Sequence, residues 1–359
     1  MDQGDAETAL SIYKDILQKE PDNADAQLSL AIYYSKQEND SLYFGMLNKV
    51  VLNPKLDNSA RITVMQNLFA KNEADSDSIK NVQLLNNILS INEDDADMAK
   101  VCASYLHERH FDLETIRPTY ERILTIAPDE AQCRVELLQE AIRKEDTLGI
   151  IKLCRPALDY NPEYPVFAFY LGIAYFQNSQ NQEAIKALRR GADNITQQSD
   201  AEIATDIYAL LGDIYHEEGQ KEEAYAAYDS ALVYKEDNVG ALNNYAYYLS
   251  LENRELERAE EMSYKTIKQE PTNWTYLDTY AWILFKEKRF SEARIYIDEA
   301  IKNEGNERPD IVEHAGDIYF HTGDKAKAVE LWKEALDLGS ESKNIKTKIK
   351  LKKYIEWNL

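Results

Sequence analysis

The sequence predicts an all-α protein made of antiparallel helix pairs that stack side by side. Apolar residues recur at the i, i+3, i+4 and i+7 positions of one helical face, as Leu242, Tyr245, Ala246 and Leu249 do. The alternation of apolar and polar residues that is typical of strands is absent. Small residues in the second half are separated by 40, 34, 35 and 35 residues. This spacing indicates one repeated structural unit.

Each unit of the second half carries two small residues and usually one large residue. The first small residues are Gly172, Gly212, Ala246, Ala281 and Gly316. The second small residues follow 12 or 13 positions later and are Ala184, Ala224, Ala259, Ala293 and Ala328. A large residue comes four positions after these, as Leu188, Tyr228, Ile297 and Trp332, with Ser263 as the exception. Small residues let two helices approach and the large residue fills the gap, so the units have to stack.

The turn inside a unit is predicted at Gly219 and Gly323, where glycine adopts an open backbone conformation at little cost. Prolines close several units and lie at Pro21, Pro54, Pro128, Pro162 and Pro271. Together, these features resemble the tetratricopeptide repeat family in its bacterial multi-repeat form. The resemblance implies a right-handed superhelical solenoid of stacked antiparallel helix pairs.

Three parts of one continuous array are predicted. Residues 1–162 hold divergent repeats, residues 163–340 hold regular repeats, and residues 341–359 form a capping helix or tail. The repeat register over residues 55–128 stays open. The first unit matches only a second helix, so we expect further repeats and a leader upstream in a longer polypeptide. Six lysines near the end (343, 346, 348, 350, 352 and 353) predict a solvated capping helix, with an interaction tail as the alternative.

A partner-binding surface follows from the resemblance. In the family, the first helix of each unit lines the concave groove at positions −6, −3, +1, +4 and +5 from the small residue. These offsets predict a binding groove made of Phe169, Ile173, Phe176, Asp213, Glu217, Asn243, Tyr247, Asp278, Trp282, Phe285, Asp310, Glu313 and Asp317.

This predicted groove mixes aromatic residues with carboxylates and has almost no basic residue. Aromatic side chains supply contact area at little entropic cost, and carboxylates select for lysine and arginine. We therefore expect a protein or peptide partner with apolar and basic residues, whose binding weakens when Asp310 and Asp317 are reversed to lysine. The alternative for each aromatic is packing between helices, and for each carboxylate a solvated face. Some family members bind the terminal carboxylate of a chaperone through lysine, asparagine and arginine side chains of the groove. The groove positions here offer Asn243 and Lys286 but no cluster of positive charge, so such a binding site is not expected.

The expected function is a non-catalytic scaffold or adaptor for protein–protein interaction. The alternative is a structural subunit of a larger envelope assembly, or a self-assembling array that acts through its ends or convex surface. A homo-oligomer is compatible with either function. The resemblance to exported bacterial repeat proteins favours the cell envelope or periplasm over the cytoplasm.

Composition argues against other classes of partner. The 64 acidic and 41 basic residues give a net charge of −23, which repels nucleic acid and anionic lipid. The apolar runs are far shorter than the roughly 20 residues of a membrane helix. Cys102, Cys133 and Cys154 lack CxxC spacing, so we expect free, buried thiols.

Neither an enzyme nor a cofactor or metal is predicted. No GxSxG, P-loop or GxGxxG motif occurs, and the 12 glycines are scattered at turns. The "HERH" stretch from His107 to His110 lacks the i, i+4 spacing of a zinc protease. His314, Asp317 and His321 share one helical face, but the two histidines are about 10.5 Å apart along the axis and cannot both bind one ion.

Overall fold

The computed structural model describes residues 3–356, with side chains described from residue 7 onward. Over these residues the chain is helical and contains no strand, which confirms the all-α prediction. Within the same range, no helix combines the length and the apolar character needed to cross a bilayer. The chain divides into two compact units, Met1–Asn161 and Pro162–Leu359.

From residue 3 to residue 161, the first unit consists of nine helices. They are α1 (Gln3–Lys19), α2 (Ala24–Lys36), α3 (Asp40–Val50), α4 (Asn58–Ala74), α5 (Ile79–Ile91), α6 (Ala96–Glu108), α7 (Leu113–Ile126), α8 (Ala131–Arg143) and α9 (Thr147–Tyr160). After the single helix α1, they form four pairs, each made of a first and a second helix.

Up to residue 356, the second unit consists of five pairs and a short final helix. Its helices are α10 (Pro165–Gln177), α11 (Asn181–Ala192), α12 (Ala201–Glu217), α13 (Lys221–Tyr234), α14 (Val239–Leu251), α15 (Leu256–Gln269), α16 (Trp274–Lys286), α17 (Phe290–Lys302), α18 (Pro309–His321), α19 (Lys325–Asp337) and α20 (Ile345–Leu351). A single 3-10 turn, Gly305–Glu307, precedes α18. Each first helix of this unit contacts the first helix of the next pair, from α10 through α18, so these helices form one continuous layer.

The small and large residues of the second unit interlock as predicted. A Cβ atom on Gly172, Gly212 or Gly316 would lie 2.4–2.7 Å from Leu188, Tyr228 or Trp332, respectively. The second small residues are fully buried at the same contacts. Because a Cβ atom on these three glycines would overlap a side chain of the neighbouring helix, glycine sets the distance between the paired helices there.

The turn inside every pair uses a residue with positive φ. Gly219 and Gly323 have φ values of +74° and +98°, as their predicted turns require. The other seven pairs place a non-glycine residue there; these are Glu38, Ser76, His110, Glu145, Ser179, Asn253 and Lys288. Ser76 and His110 thus locate the turns, and hence the repeat register, over the segment where the sequence left it open.

Polar side chains fix the starts of many helices. Asn39, Asp95 and Asp146, for example, accept a hydrogen bond from a backbone N–H in the first turn of α3, α6 and α9. A backbone N–H group in the first turn has no hydrogen-bond acceptor within its own helix, so these capping side chains supply the missing acceptor.

Two buried arginines in the first unit each connect the start of the first helix of a pair to the end of the second helix. Arg61, in the first turn of α4, donates to Asn92 Oδ1 at the end of α5 over 3.1 Å. Arg134, in the first turn of α8, donates to Asn161 Oδ1 at the end of α9 over 3.2 Å. Each guanidinium also donates to two backbone carbonyls. The sequence prediction missed these contacts, because an arginine in an amphipathic pattern is usually assigned to the surface.

The three cysteines are free and buried in the first unit, as predicted. Burial raises the pKa of Cys102 and Cys154 to about 12. These thiols are therefore protonated at neutral pH and pack as small apolar groups.

Candidate protein-binding groove

The predicted groove residues all lie on the first helices of the second unit, α10, α12, α14, α16 and α18. They differ widely in exposure. Glu217 and Asp310 are exposed. Five residues are half-buried: Phe169, Ile173, Phe176, Asp213 and Tyr247. Six are buried: Asn243, Asp278, Trp282, Phe285, Glu313 and Asp317.

Two of the carboxylates bind neighbouring helices of their own unit. Asp213 on α12 accepts hydrogen bonds from the Tyr228 hydroxyl on α13 and, over 3.1 Å, from Asn244 Nδ2 on α14. Asp278 on α16 lies 2.9 Å from the Nδ1 atom of His314 on α18. Burial alone would lower the pKa of His314, but the charge and hydrogen bond of Asp278 raise it above its usual value. Asp213 and Asp278 therefore hold successive first helices together.

Two further carboxylates bind a lysine from the end of the chain. Lys348 on α20 places its Nζ atom 2.9 Å from Glu313 Oε1 and 2.7 Å from Asp317 Oδ2. The lysine is 0% exposed. Trp332 Nε1 also donates to Asp317 over 2.9 Å. Burial raises the pKa of Asp317, and Lys348 opposes that rise.

The prediction of solvated lysines near the end is therefore wrong for Lys348, whereas the other five lysines are exposed. The reason lies in the repeat. Lys348 follows Gly316 by 32 residues, just as Asn244 follows Gly212 by 32 residues. Both side chains bind the aspartate that comes directly after that glycine. Helix α20 thus takes the place of the first helix of another pair. Continuing the repeat numbering beyond α19 would have identified Lys348 from the sequence. Residues 357–359 of the predicted tail lie outside the described residues.

The middle of the groove contains two buried polar atoms without a hydrogen-bond partner among the described residues. They are Oδ1 of Asn243 on α14 and Nε1 of Trp282 on α16. The Trp282 ring is held by stacking, with ring centroids 4.0 Å from His314 and 4.8 Å from Phe285. Buried polar groups are rarely left unpaired. Asn243 Oδ1 and Trp282 Nε1 are thus an unpaired acceptor and an unpaired donor on adjacent first helices.

Tyr247 lies on α14, as Asn243 does, and Asp310 lies on α18. Burial raises the pKa of the Tyr247 hydroxyl, and the negative charges of Asp278 and Asp310 raise it further. Asp310 is thus close enough to affect Tyr247, although they belong to different pairs. No ion pair or hydrogen bond engages the Asp310 carboxylate within the described residues, and the same is true of Glu217 on α12. These two are the open carboxylates of the predicted set.

The first part of the groove is apolar. Phe169, Ile173 and Phe176 are half-buried on α10, and both phenylalanines pack against the core formed by α11 and α12. On α12, the His216 ring stacks on Tyr248 with centroids 3.7 Å apart. Burial lowers the pKa of His216, so this ring is neutral at neutral pH.

The histidines considered for metal binding occupy other contacts. His107 Nδ1 lies 2.6 Å from Glu136 Oε1 in the first unit. His314 binds Asp278, and His321 Nδ1 lies 3.0 Å from the backbone oxygen of Asp317. In residues 3–356, no group of three or more histidine, cysteine, aspartate or glutamate side chains has an arrangement suited to a metal ion.

Sequence comparison identifies the family. Models described as "Tetratricopeptide repeat" match residues 1–41, residues 205–238, and residues 152–202 together with 281–343. Jointly they cover just over half of the 359 residues. The chain belongs to the tetratricopeptide repeat family, as its nine helix pairs in the described residues also indicate.

No curated protein matches the chain. Three solved structures with partial similarity are PilF from Pseudomonas aeruginosa, TTC0263 from Thermus thermophilus and MamA from Desulfovibrio magneticus. Their sequence identities are 20%, 13% and 14%, and their TM-scores are 0.42, 0.42 and 0.41. The alignments cover 49%, 52% and 48% of this chain and 77%, 98% and 94% of the other chains. Similarity at this level gives no information about a partner.

Proposed function

We propose that this chain is a non-catalytic scaffold that binds a protein segment along the first helices of its second unit. Tetratricopeptide repeats support a general role in protein–protein interaction, and proteins of this family are typically non-catalytic. The proposed contact surface is centred on Asn243, Tyr247, Trp282 and Asp310, with Glu217 as a second open carboxylate.

The pair of unpartnered atoms at Asn243 and Trp282 is the observation that carries this proposal. A peptide backbone has an N–H donor and a carbonyl acceptor in every residue other than proline. One donor could satisfy Asn243 Oδ1, and one acceptor could satisfy Trp282 Nε1. A buried unpaired polar atom destabilises the free protein by about 1–3 kcal/mol. A ligand that forms a hydrogen bond with each of the two atoms removes this penalty, and the removal makes its binding free energy more favourable.

The proposed ligand carries basic residues beside an apolar anchor. Asp310 and Glu217 offer open negative charge, and Tyr247 offers an aromatic surface. The end of the same chain provides an internal example of this chemistry. Lys348 binds two carboxylates of α18, and the Tyr354 ring lies 4.6 Å from His321 and 5.7 Å from Phe285, measured between ring centroids.

Purification of bound proteins from the source cells, with variants as bait, tests the proposal. Asp310→Lys is the informative change, because this side chain is exposed and no hydrogen bond or ion pair within the described residues engages it. Glu261→Lys, at an exposed position on the second helix α15, is the matched control with the same change of charge. We expect a partner that is retained by the wild type and by Glu261→Lys but reduced at least tenfold with Asp310→Lys. A partner retained equally by all three baits would contradict the proposed contact.

A second variant tests the unpartnered atoms directly. Trp282→Phe keeps an aromatic ring but removes the Nε1 donor, so we expect weaker binding of the same partner. Circular dichroism of the free variant shows whether its fold is intact, and full affinity in a folded variant would remove the hydrogen-bonding part of the proposal. The double reversal of Asp310 and Asp317 is unsuitable, because Asp317 is buried against Lys348.

Self-assembly is the alternative function, and several exposed apolar side chains on second helices favour it as a second candidate. Val233 on α13 and Ile295 on α17 are 82% and 61% exposed. Light scattering over a range of concentrations distinguishes the two functions. A scaffold keeps a constant mass, whereas a self-assembling array grows with concentration and loses that growth when Val233 and Ile295 are replaced by serine.

A further inference from the structure

The first unit contains an elongated cleft that is separate from the predicted groove. It lies between the second helices α7 and α9, with the first helix α8 beneath, and has a volume of about 640 Å³. Leu124, Leu137, Leu153 and Tyr160 form its apolar wall. A volume of this size is within the range of about 300–1,000 Å³ that is typical of ligand sites.

The cleft runs along most of α9. Its lining residues on this helix extend from Gly149 to Tyr160, a length of about 16 Å at 1.5 Å per residue. A fully extended peptide advances about 3.3 Å per residue. A segment of roughly five residues therefore matches the length of the cleft.

A buried arginine lies in the cleft, and none of the described carboxylates pairs with it. Arg134 is 3% exposed, and its guanidinium donates to the backbone oxygens of Pro128 and Leu153 over 2.7 and 2.8 Å and to Asn161 Oδ1. These three acceptors are neutral. Burial lowers the pKa of Arg134, and the buried thiols of Cys133 and Cys154, which act on it, are protonated at neutral pH.

Arg61 provides the internal comparison. It is 1% exposed and has the same place in the first turn of its helix, but Asp57 and Asp95 act on it with opposite charge. A buried charge without a counter-ion is costly. An anion in the cleft would provide Arg134 with the compensating negative charge that Asp57 and Asp95 provide to Arg61.

The remaining charges of the cleft are unevenly distributed. Its lining contains three further basic residues, Arg117, Lys144 and Lys152, against the acidic Glu121 and Asp146. Arg117 and Lys144 share the nearby Glu140. Asp146 accepts a hydrogen bond from the first turn of α9. Lys152 is exposed, and no acidic side chain pairs with it within the described residues.

We propose that this cleft binds an acidic protein segment in an extended conformation. Apolar side chains of the segment pack on Leu124, Leu137 and Leu153, and a carboxylate pairs with Lys152 while compensating the charge of Arg134. The net charge of −23 repels an acidic partner from most of the surface. The excess of basic residues here therefore directs such a partner to the cleft. This site does not depend on the groove of the second unit.

Calorimetric titration of the whole chain with a defined peptide tests the proposal. The probe is acetyl-Glu-Leu-Phe-Glu-Leu-amide, and its counterpart has glutamine at both glutamate positions. We expect saturable binding of the acidic peptide and at least tenfold weaker binding of the glutamine peptide. Binding of the acidic peptide should also weaken as salt is raised, because its charge contributes to the affinity.

Two variants with the same change of charge locate the site. Lys152→Glu should weaken binding at least tenfold, whereas Lys36→Glu, an exposed position on α2 outside the cleft, should leave it within about twofold of the wild type. Asp310→Lys in the second unit should also bind the acidic peptide as the wild type does. The last result separates this proposal from the one for the groove.

Three results would overturn the proposal. They are no saturable binding of the acidic peptide, equal loss with Lys152→Glu and Lys36→Glu, and tighter binding of dodecanoate than of the peptide at the same cleft. The last outcome would identify the site as one for a fatty acid instead of a protein segment. Equal circular dichroism spectra of the variants ensure that each result reports on binding.

Discussion

The two units of the molecule close their helix pairs by different means. In the second unit, a glycine such as Gly212 allows a large side chain such as Tyr228 to fill the space between two helices. In the first unit, Arg61 and Arg134 join the start of one helix to the asparagine at the end of the next. Steric fit tolerates little change in volume, whereas a polar contact requires every partner to be present. The two units should therefore respond differently to substitution.

The largest effect is expected at the end of the second unit, where buried charges are concentrated. Lys348→Met leaves Glu313 and Asp317 buried without their cation. Removing one member of a buried ion pair costs about 3–5 kcal/mol. Hydrogen exchange, which reports local stability in a repeat array, should therefore show faster exchange in α18 and α19. Asn244→Ala, which removes the neutral counterpart of this contact, should cost about 1 kcal/mol. Equal effects of the two changes would contradict the ionic role of Lys348.

The next largest loss of stability is expected on substitution of the two buried arginines of the first unit, and the loss should differ between them. Arg61→Met removes hydrogen bonds to Val51, Asn53 and Asn92 and should cost about 3 kcal/mol, because their buried acceptors lose a partner. Arg134→Met should cost less, because it also removes a buried charge without a counter-ion. Urea denaturation of both variants measures the difference. A greater loss for Arg134→Met would show that its charge is already compensated and would weaken the case for an anion in the cleft.

A smaller change in stability is expected when one glycine of each unit is replaced by alanine. Gly212→Ala introduces a Cβ atom 2.7 Å from the Tyr228 ring, and overpacking of this kind costs about 1–3 kcal/mol. Gly45 lies inside α3, and apart from the neighbouring backbone of that helix no atom lies within 4 Å of the added carbon. Gly45→Ala should therefore stabilise the first unit by about 0.5–1 kcal/mol, because alanine is the better helix former. Thermal unfolding should show opposite shifts for these two variants.

The smallest effect concerns the turns, which both units share. Glu145→Gly should stabilise the first unit by about 1 kcal/mol, because a non-glycine residue with positive φ is strained. Gly219→Ala should destabilise the second unit by a similar amount. Denaturant midpoints measure both changes. If Glu145→Gly is destabilising, side-chain contacts of Glu145 outweigh the backbone strain.

The sequence predicted features that follow from size and period. The small residues, the large residues opposite them and the turns at Gly219 and Gly323 were all identified, because each has a fixed spacing and a steric reason. Lys348 was missed because α20 was not recognised as the first helix of a further pair. The locations of Arg61 and Arg134 were not identified, because their burial depends on partners 31 or 27 residues away whose polarity gives no helical pattern. For the same reason, the offsets selected Asp213 and Asp278 as groove positions but could not indicate that both would bind neighbouring helices. Whether the groove binds a partner stays a prediction.

The equivalence of Lys348 and Asn244 has a consequence for how the length of such arrays can change. Asp213 follows its glycine as Asp317 does, so it has the same geometry for receiving a side chain from a following helix. If α20 were joined directly after α13, Lys348 would come opposite Asp213, and the shortened protein would have a similar closing contact. Loss or duplication of complete helix pairs could therefore alter the number of repeats, while the same terminal helix still packs on the last pair.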